Sequence, residues 1–338
     1  MRLLHKFILI IFISLYSIVY SQNGQEIYTF MNMTVSARQA ALGGNVNSSW
    51  DNDPNMAMFN PAMMNDKMYN QAGINYSSYL ADVKLGAVSY VYNPKESKHY
   101  FSLHGRYVDY GDLKAADEIG NVTGKFTAKD AAVTLGYAYN ISDFFTVGGN
   151  LSYVTSKIES YTSSALLADL GVVFHDIDYY TTVSAVVRNF GGQLTYYNDR
   201  REKLPIQANL GISQRFEKLP MELTLTLHDL QKFDISSPTN KKGEKINGGR
   251  KIIDHISLGA ELFPESGFNL RAGYNFKRGN ELSIEDQRSF AGLTLGFGVK
   301  ISYFRFDYAW GRYNAAGNTN TFGLRIDLEN MFAPRYDW

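Results

Sequence analysis

Histidine is the side chain best suited to bind a metal or move a proton near neutral pH. The chain has six, at His5, His99, His104, His175, His228 and His255. None sits in an H-E-x-x-H pattern or another compact ligand spacing, so metal chemistry is not expected. Asp51 with Asp53, and Asp176 with Asp178, place carboxylates two residues apart, but neither pair continues into a calcium loop, and turn chemistry accounts for both. No serine stands three residues before a lysine, no Lys-Thr-Gly occurs, and G-x-S-x-G and phosphate-loop patterns are absent. With no cysteine, neither disulfides nor thiolate sites are available. The chain is therefore expected to be non-enzymatic and to take no cofactor. What remains are isolated charges, Asp169, Glu222, Glu261 and Asp327 against Arg188, Arg271 and Arg325, which are expected to pair with one another. A basic stretch at 229–253, with Lys232, Lys241, Lys242, Lys245, Arg250 and Lys251, suits lipopolysaccharide phosphates or an acidic partner as well as plain solvation.

The elements that carry these charges are strands. Between 289 and 328, Leu293, Leu295, Phe297 and Val299 alternate with Thr294, Gly296 and Gly298. Phe304, Phe306, Tyr308 and Trp310 alternate with Arg305, Asp307 and Ala309, and Phe322, Leu324 and Ile326 with Gly323 and Arg325. Period-two alternation puts one set on each face of a strand. One face is apolar and aromatic, the other small or charged. The same alternation recurs through 221–228 and 254–262, and about fourteen strands of this kind follow residue 71. Their length, mostly 8–12 residues, suits a tilted bilayer crossing.

The connections then divide into two classes. Those at 108–129, 156–164, 190–204, 229–253, 278–288 and 311–320 are long; those at 141–143, 175–178, 216–220, 263–267 and 300–302 are short. Short turns at one end and long loops at the other, with an even strand number, predict an all-β transmembrane antiparallel barrel of about 14 strands. In that arrangement a charge at Leu225 or Leu295 is expected to block assembly, and one at Thr226 or Thr294 is not.

Residues 1–21 read as a secretory leader: Arg2, His5 and Lys6 precede the apolar run 7–18, and Val19-Tyr20-Ser21 offers a cleavage site. Loss of Arg2 and Lys6 from 33 basic residues would leave 31 against 33 acidic, a balance with no nucleic-acid footprint. Residues 22–68 form a non-strand prefix. Ser36 can cap a short helix that Gly43-Gly44 ends, and Asn60-Pro61-Ala62 breaks a methionine-rich segment. A barrel of this size encloses a wide lumen, and the prefix is expected to plug it. The expected organisation is thus leader 1–21, plug 22–68, barrel 69–328 and tail 329–338.

Two groups of residues carry a family resemblance. Ala37-Arg38-Gln39-Ala40-Ala41-Leu42-Gly43-Gly44 followed by Asn60-Pro61-Ala62 resembles the plug motif of FadL-like barrels, a group that includes PorV and PorQ. Glu202-Lys203-Leu204-Pro205, Asn269-Leu270-Arg271-Ala272-Gly273-Tyr274-Asn275-Phe276 and Ala291-Gly292-Leu293-Thr294-Leu295-Gly296-Phe297-Gly298 resemble the PorQ family of the type IX secretion system. The resemblance covers essentially the whole of the chain after the leader. It implies an outer-membrane barrel of a Gram-negative cell, loops facing the surface, that works with PorZ in a complex also holding PorU and PorV. That complex processes secreted cargo and attaches it to lipopolysaccharide. The plug-motif residues are Arg38, Leu42, Gly43, Gly44, Asn60 and Pro61. Candidate partner contacts lie on two loops: Tyr196, Tyr197, Asp199, Arg200 and Arg201 on one, and Asn280, Glu281, Asp286 and Arg288 on the other. The competing expectations are FadL-like transport of hydrophobic small molecules and a general porin.

Overall fold

The computed structural model describes residues 26–79, 82–94, 97–198, 200–239, 245–281, 290–314 and 317–332. The expected leader, and the tail beyond 332, lie outside them. Fourteen antiparallel strands close into one barrel. They are β1 (Gln71–Ser78), β2 (Lys84–Tyr92), β3 (His99–Ala116), β4 (Val122–Asn140), β5 (Phe145–Ile158), β6 (Tyr161–Asp176) and β7 (Thr181–Thr195), then β8 (Gln207–Phe216), β9 (Met221–Leu227), β10 (Ile256–Leu262), β11 (Phe268–Asn275), β12 (Leu293–Ile301), β13 (Phe304–Asn314) and β14 (Gly317–Asp327). Closure is made by β1, which pairs with β2 on one side and with β14 on the other, from Gln71↔Asp327 to Ser78↔Asn320. A closed sheet leaves no ladder edge unpaired against hydrocarbon.

Alternation sorts the side chains as the pattern requires. On β4, Val133, Leu135 and Tyr137 point out and are exposed, while Asp130, Ala132, Thr134 and Ala138 are buried. On β14, Phe322 is outward and Thr321 and Arg325 are inward. The outer belt is apolar, as a bilayer demands, and the inner face is small and polar. Among the described residues no helix is long and apolar enough to cross a membrane.

The two ends differ, though not quite as the loop lengths predict. Strands turn tightly at 141–144, 177–180, 217–220, 263–267 and 302–303, and the chain enters and leaves the barrel at this same end, where the Leu328 amide donates to the Asn70 carbonyl (3.1 Å). At the other end, 108–129 and 156–164 are not loops. β3 and β4 pair beyond Asp109↔Lys129 through a register shift to Ala116↔Val122, and β5 and β6 pair as far as Ile158↔Tyr161. The turn at 117–121 is held by Asp117, whose carboxylate accepts the amides of Ile119 and Asn121. These polar, charge-bearing segments look like loops by composition; pairing with a neighbour makes them strands. The wall is therefore tall over β3–β7 and low over β9–β11. On the low side it is capped by two short helices, α3 (Gly248–Asp254) and α4 (Phe276–Glu281). Buried Asp254 joins them, accepting from Arg250 Nε (3.2 Å), Asn280 Nδ2 (2.5 Å) and Ser236 Oγ (2.6 Å). A last helix, α5 (Leu328–Phe332), follows β14, and Asp327 accepts the Asn330 amide at its start. Asp327 is thus a helix cap rather than the lumenal ion-pair member that its sequence setting implies.

Residues 26–70 run through the lumen from the tall end to the tight-turn end. They carry α1 (Ala37–Ala41), α2 (Asn55–Phe59) and three single turns. Ser36 caps α1 by accepting the Gln39 amide (3.4 Å), and Gly43 and Gly44, at φ +94° and +96°, end it with Gly44 N donating to Gln39 O (2.9 Å). Only glycine adopts two such successive conformations at little cost.

Candidate functional site

The lumen holds two distinct environments, and the prefix binds each by different chemistry. Against β9–β14 the contact is ionic. Arg38, on α1, donates through Nε and Nη2 to Glu261 Oε2 (3.0 and 2.5 Å), through Nη2 to Ser49 Oγ (2.8 Å), and pairs with Asp51. Glu261 passes the charge on to Arg271 (2.9 Å), Arg271 to Asp307 (2.6 Å), and Asp307 to Arg325 (3.0 Å). Arg325 in turn donates to Asn52 Oδ1 of the prefix (3.3 Å), while Glu222 takes Arg215 (3.0 Å) and the Ser49 hydroxyl. The strand carboxylates Glu222 and Glu261 are paired as their inward positions suggested. The residue that ties them to the prefix, Arg38, belongs to the plug motif, but nothing in that motif names its partners.

Backbone contact is as close as the ionic one. Where α1 and the turn after it meet the wall, the inward positions are glycine. A Cβ at Gly259 would lie 2.9 Å from Leu42 O, one at Gly296 2.6 Å from Ala41 Cβ, and one at Gly273 on the Gly43 amide. Across the lumen, a Cβ at Gly148 would lie 2.7 Å from Ala62 N. Thr294 completes the seat: its hydroxyl accepts from Gly43 N (3.1 Å) and donates to Ala41 O (2.9 Å).

Against β2–β7 the contact is apolar. Phe30, Met31, Met58 and Phe59 pack on Leu85, Val108, Val154 and Leu167. Two guanidiniums enter this region. Arg106 Nη1 donates to Phe30 O (2.9 Å) and Met31 O (2.6 Å), and Arg188 Nη2 to Met31 O (2.9 Å). They lie 5.3 and 4.5 Å from the centroid of the Phe59 ring, within cation–π range. Beside them the β6–β7 ladder bulges: Asp169 stands opposite Arg188 and Asn189, and its carboxylate accepts the Asn189 amide (2.8 Å) in place of a strand bond. Asn189, at φ +59°, also donates to Asn32 Oδ1 (2.6 Å), so the bulge holds the prefix.

Between the two mouths Met58, Phe59, Met63 and Met64 fill the lumen, none more than 6% exposed. Beyond them a lumenal cavity opens toward each mouth. One, about 350 Å³, opens at the tight-turn end around Trp50, stacked on His175 at 4.7 Å. The other, about 440 Å³, opens among the tall hairpins, with Tyr28, Tyr110, Phe126, Asp130 and Tyr197 in its lining.

The fold answers to known structures where sequence comparison does not: no family model and no curated protein matches the chain. The Pseudomonas putida toluene transporter TodX superposes with a TM-score of 0.52 at 13% identity, over 91% of this chain and 97% of that one. A FadL homologue from Pseudomonas aeruginosa gives 0.51 at 12% identity, over 86% and 97%. This is the FadL-type barrel fold. A TodX mutant described as a monoaromatic hydrocarbon channel gives 0.55 at 12% identity, over 87% and 97%. At these identities the FadL-type likeness is one of architecture.

The nominated contact residues fall apart into several roles. Tyr197 lines the cavity among the tall hairpins, where its hydroxyl donates to Ser156 Oγ (2.5 Å) and burial pushes its pKa up to about 12. Tyr196, Arg200 and Arg201 are exposed at the tall end. Asn280 faces Asp254 and braces α4 against α3, and Glu281 ends α4. Asp199, Asp286 and Arg288 lie outside the described residues, as do Lys241 and Lys242 of the basic stretch. Arg250 and Lys251 of that stretch pair with Asp254 and Asp234, which leaves them less free for phosphates. Asp130, Ser156 and Tyr110 escaped notice. Their one signal is inward parity on β4, β5 and β3, near strand ends that composition alone did not locate.

Proposed function

We propose that the chain is a non-enzymatic, plugged barrel of the outer membrane whose tall end is a platform for a surface protein, the role its resemblance to type IX secretion barrels implies. The observation that carries this reading is the height of the wall. A strand needs about 9–11 residues to cross a bilayer, and β3 and β4 have 18 and 19. The surplus projects as a paired hairpin with Leu113, Ile119, Val122 and Phe126 near its tip, above a lumen filled by an ionically anchored segment. The partner is PorZ in this reading, within the assembly of PorU and PorV that attaches cargo to lipopolysaccharide, and the tall end faces outward. Capture from detergent-solubilised outer membrane tests it. A barrel whose residues 111–127 are replaced by a tight turn should still shift with heating on gels yet retain no partner. Undiminished capture would remove the hairpin from the contact.

A second reading, uptake of hydrophobic small molecules, is favoured by the solved neighbours named transporters and by the apolar contact of the prefix with β2–β7. Uptake of toluene into liposomes, with and without residues 26–68, separates the two: transport requires uptake through the intact chain.

A further inference from the structure

The cavity among the tall hairpins has a chemical character that neither reading assigns. Its acidic groups are Glu26, Asp130 and Glu202, and no lysine, arginine or histidine among the described residues lines it. Asp130 is 7% exposed and takes part in no ion pair among the described residues. Its carboxylate is met by hydroxyls instead: Tyr110 donates to Oδ2 (2.7 Å) and Ser156 to Oδ1, and Ser156 accepts from Tyr197 (2.5 Å). Every one of these hydrogen bonds runs toward the carboxylate and favours its anion, while burial of the group works against it and a paired cation would offset that burial. Two hydroxyls occupy two of about four acceptor sites on a carboxylate and leave the others for a further donor. The remaining walls are rings and aliphatic chains: Phe126, Tyr28, Tyr110 and Tyr197, with Leu113 and Ile158. Ring faces attract cations and pack apolar groups alike.

We propose that this cavity is a binding site for a small amine with an apolar or aromatic body, the ammonium on Asp130 and the body against Phe126 and Leu113. A fatty acid or other anion meets three carboxylates there and is excluded by charge. A neutral hydrocarbon finds the rings but leaves the carboxylate without its missing donor. At about 440 Å³ the cavity is within the usual range for a small-molecule site. The inference goes beyond the platform and transport readings, because binding at the mouth needs neither a partner protein nor passage through the lumen.

The test uses the full barrel in nanodiscs and three matched probes, 2-phenylethylamine, 2-phenylethanol and phenylacetate, followed by calorimetry. The amine should bind at least tenfold more tightly than the alcohol, the acid should not bind, and Asp130→Asn should remove the preference for the amine. The ammonium adds attraction between opposite charges to the hydrogen bond that the hydroxyl could also make, and this is the basis of the preference. Equal affinity for the three probes overturns the proposal, as does an amine preference that survives Asp130→Asn. Should that variant fail to fold, the wild-type ranking together with Glu202→Gln decides: an amine preference that Glu202→Gln weakens supports the site, and its absence rejects it.

Discussion

Thr294 and Leu295 are neighbours on β12 with opposite tolerances. Leu295 is 45% exposed on the outer belt, and Thr294 is 3% exposed beneath α1. Alternation alone makes Thr294 a safe place for a charge, but its hydroxyl holds Gly43 and Ala41. We therefore expect three outcomes. Leu225→Lys and Leu295→Lys should each lower barrel stability by about 2–4 kcal/mol, the cost of a basic group at mid-bilayer depth, and reduce the heat-modifiable fraction on gels. Thr294→Lys should insert normally and release α1, seen as trypsin cleavage at Arg38. Equal behaviour of Leu295 and Thr294 variants would refute the facing assignment. Arg38 itself is the second residue of consequence. Arg38→Ala takes the pairing cation from Asp51 and leaves Glu261 with Arg271 alone, in a buried setting where removing one partner typically costs about 3–5 kcal/mol. Its urea midpoint should fall, and single-channel recordings should show openings that the wild type lacks. An unchanged midpoint and a silent bilayer would mean that the ionic contact does not hold the prefix in place.

Among the elements, the strands were the most legible because lipid enforces their pattern. Fourteen segments with an apolar face left little else to build, and the tight turns between them declared one end of the barrel. The extensions of β3 to β7 were not legible, since beyond the bilayer nothing requires an apolar face. Asp112, Lys114 and Lys125 read as loop until Lys114 pairs with Lys125 and Asp112 with Thr127 across the hairpin. The seat of α1 was half legible. Gly296 was visible on a small inward face, yet only the packed structure shows that this face, which Gly273 shares, is small because a helix and its glycine turn press against it. From this follows the prediction that Gly273→Val displaces the prefix while leaving the strands paired. The added side chain meets the Gly43 amide, and circular dichroism should stay β-like as trypsin sensitivity at Arg38 and Lys67 rises. Retained protection would show that the wall yields instead.

At the scale of the whole molecule, closure and projection are built from separate parts, so they should separate by mutation. The ionic hold on the prefix, through Arg38, and most of its glycine seat lie on β9–β14; β3–β7 meet the prefix within the lumen by apolar packing and through Arg106, Arg188 and Asn189, and their hairpins rise beyond that contact. No ion pair of the lumenal network reaches the hairpin beyond Asp109 among the described residues, where Lys125–Asp112 and Lys129–Asp109 are local surface pairs. Such exposed pairs contribute little to stability, so the hairpin stands chiefly on its strand pairing, with Tyr110 bonded to Asp130 at its base. Two variants then give opposite phenotypes. Deletion of residues 26–68 should yield a heat-modifiable barrel that conducts ions yet still captures its surface partner, because the wall that presents the hairpins remains. Replacement of 111–127 by a tight turn should yield a barrel that stays closed and loses the partner. If the plug deletion alone abolishes capture, then the partner reads the prefix or the mouth it shapes, and the contact moves from the hairpins to the vestibule around Tyr28 and Tyr197.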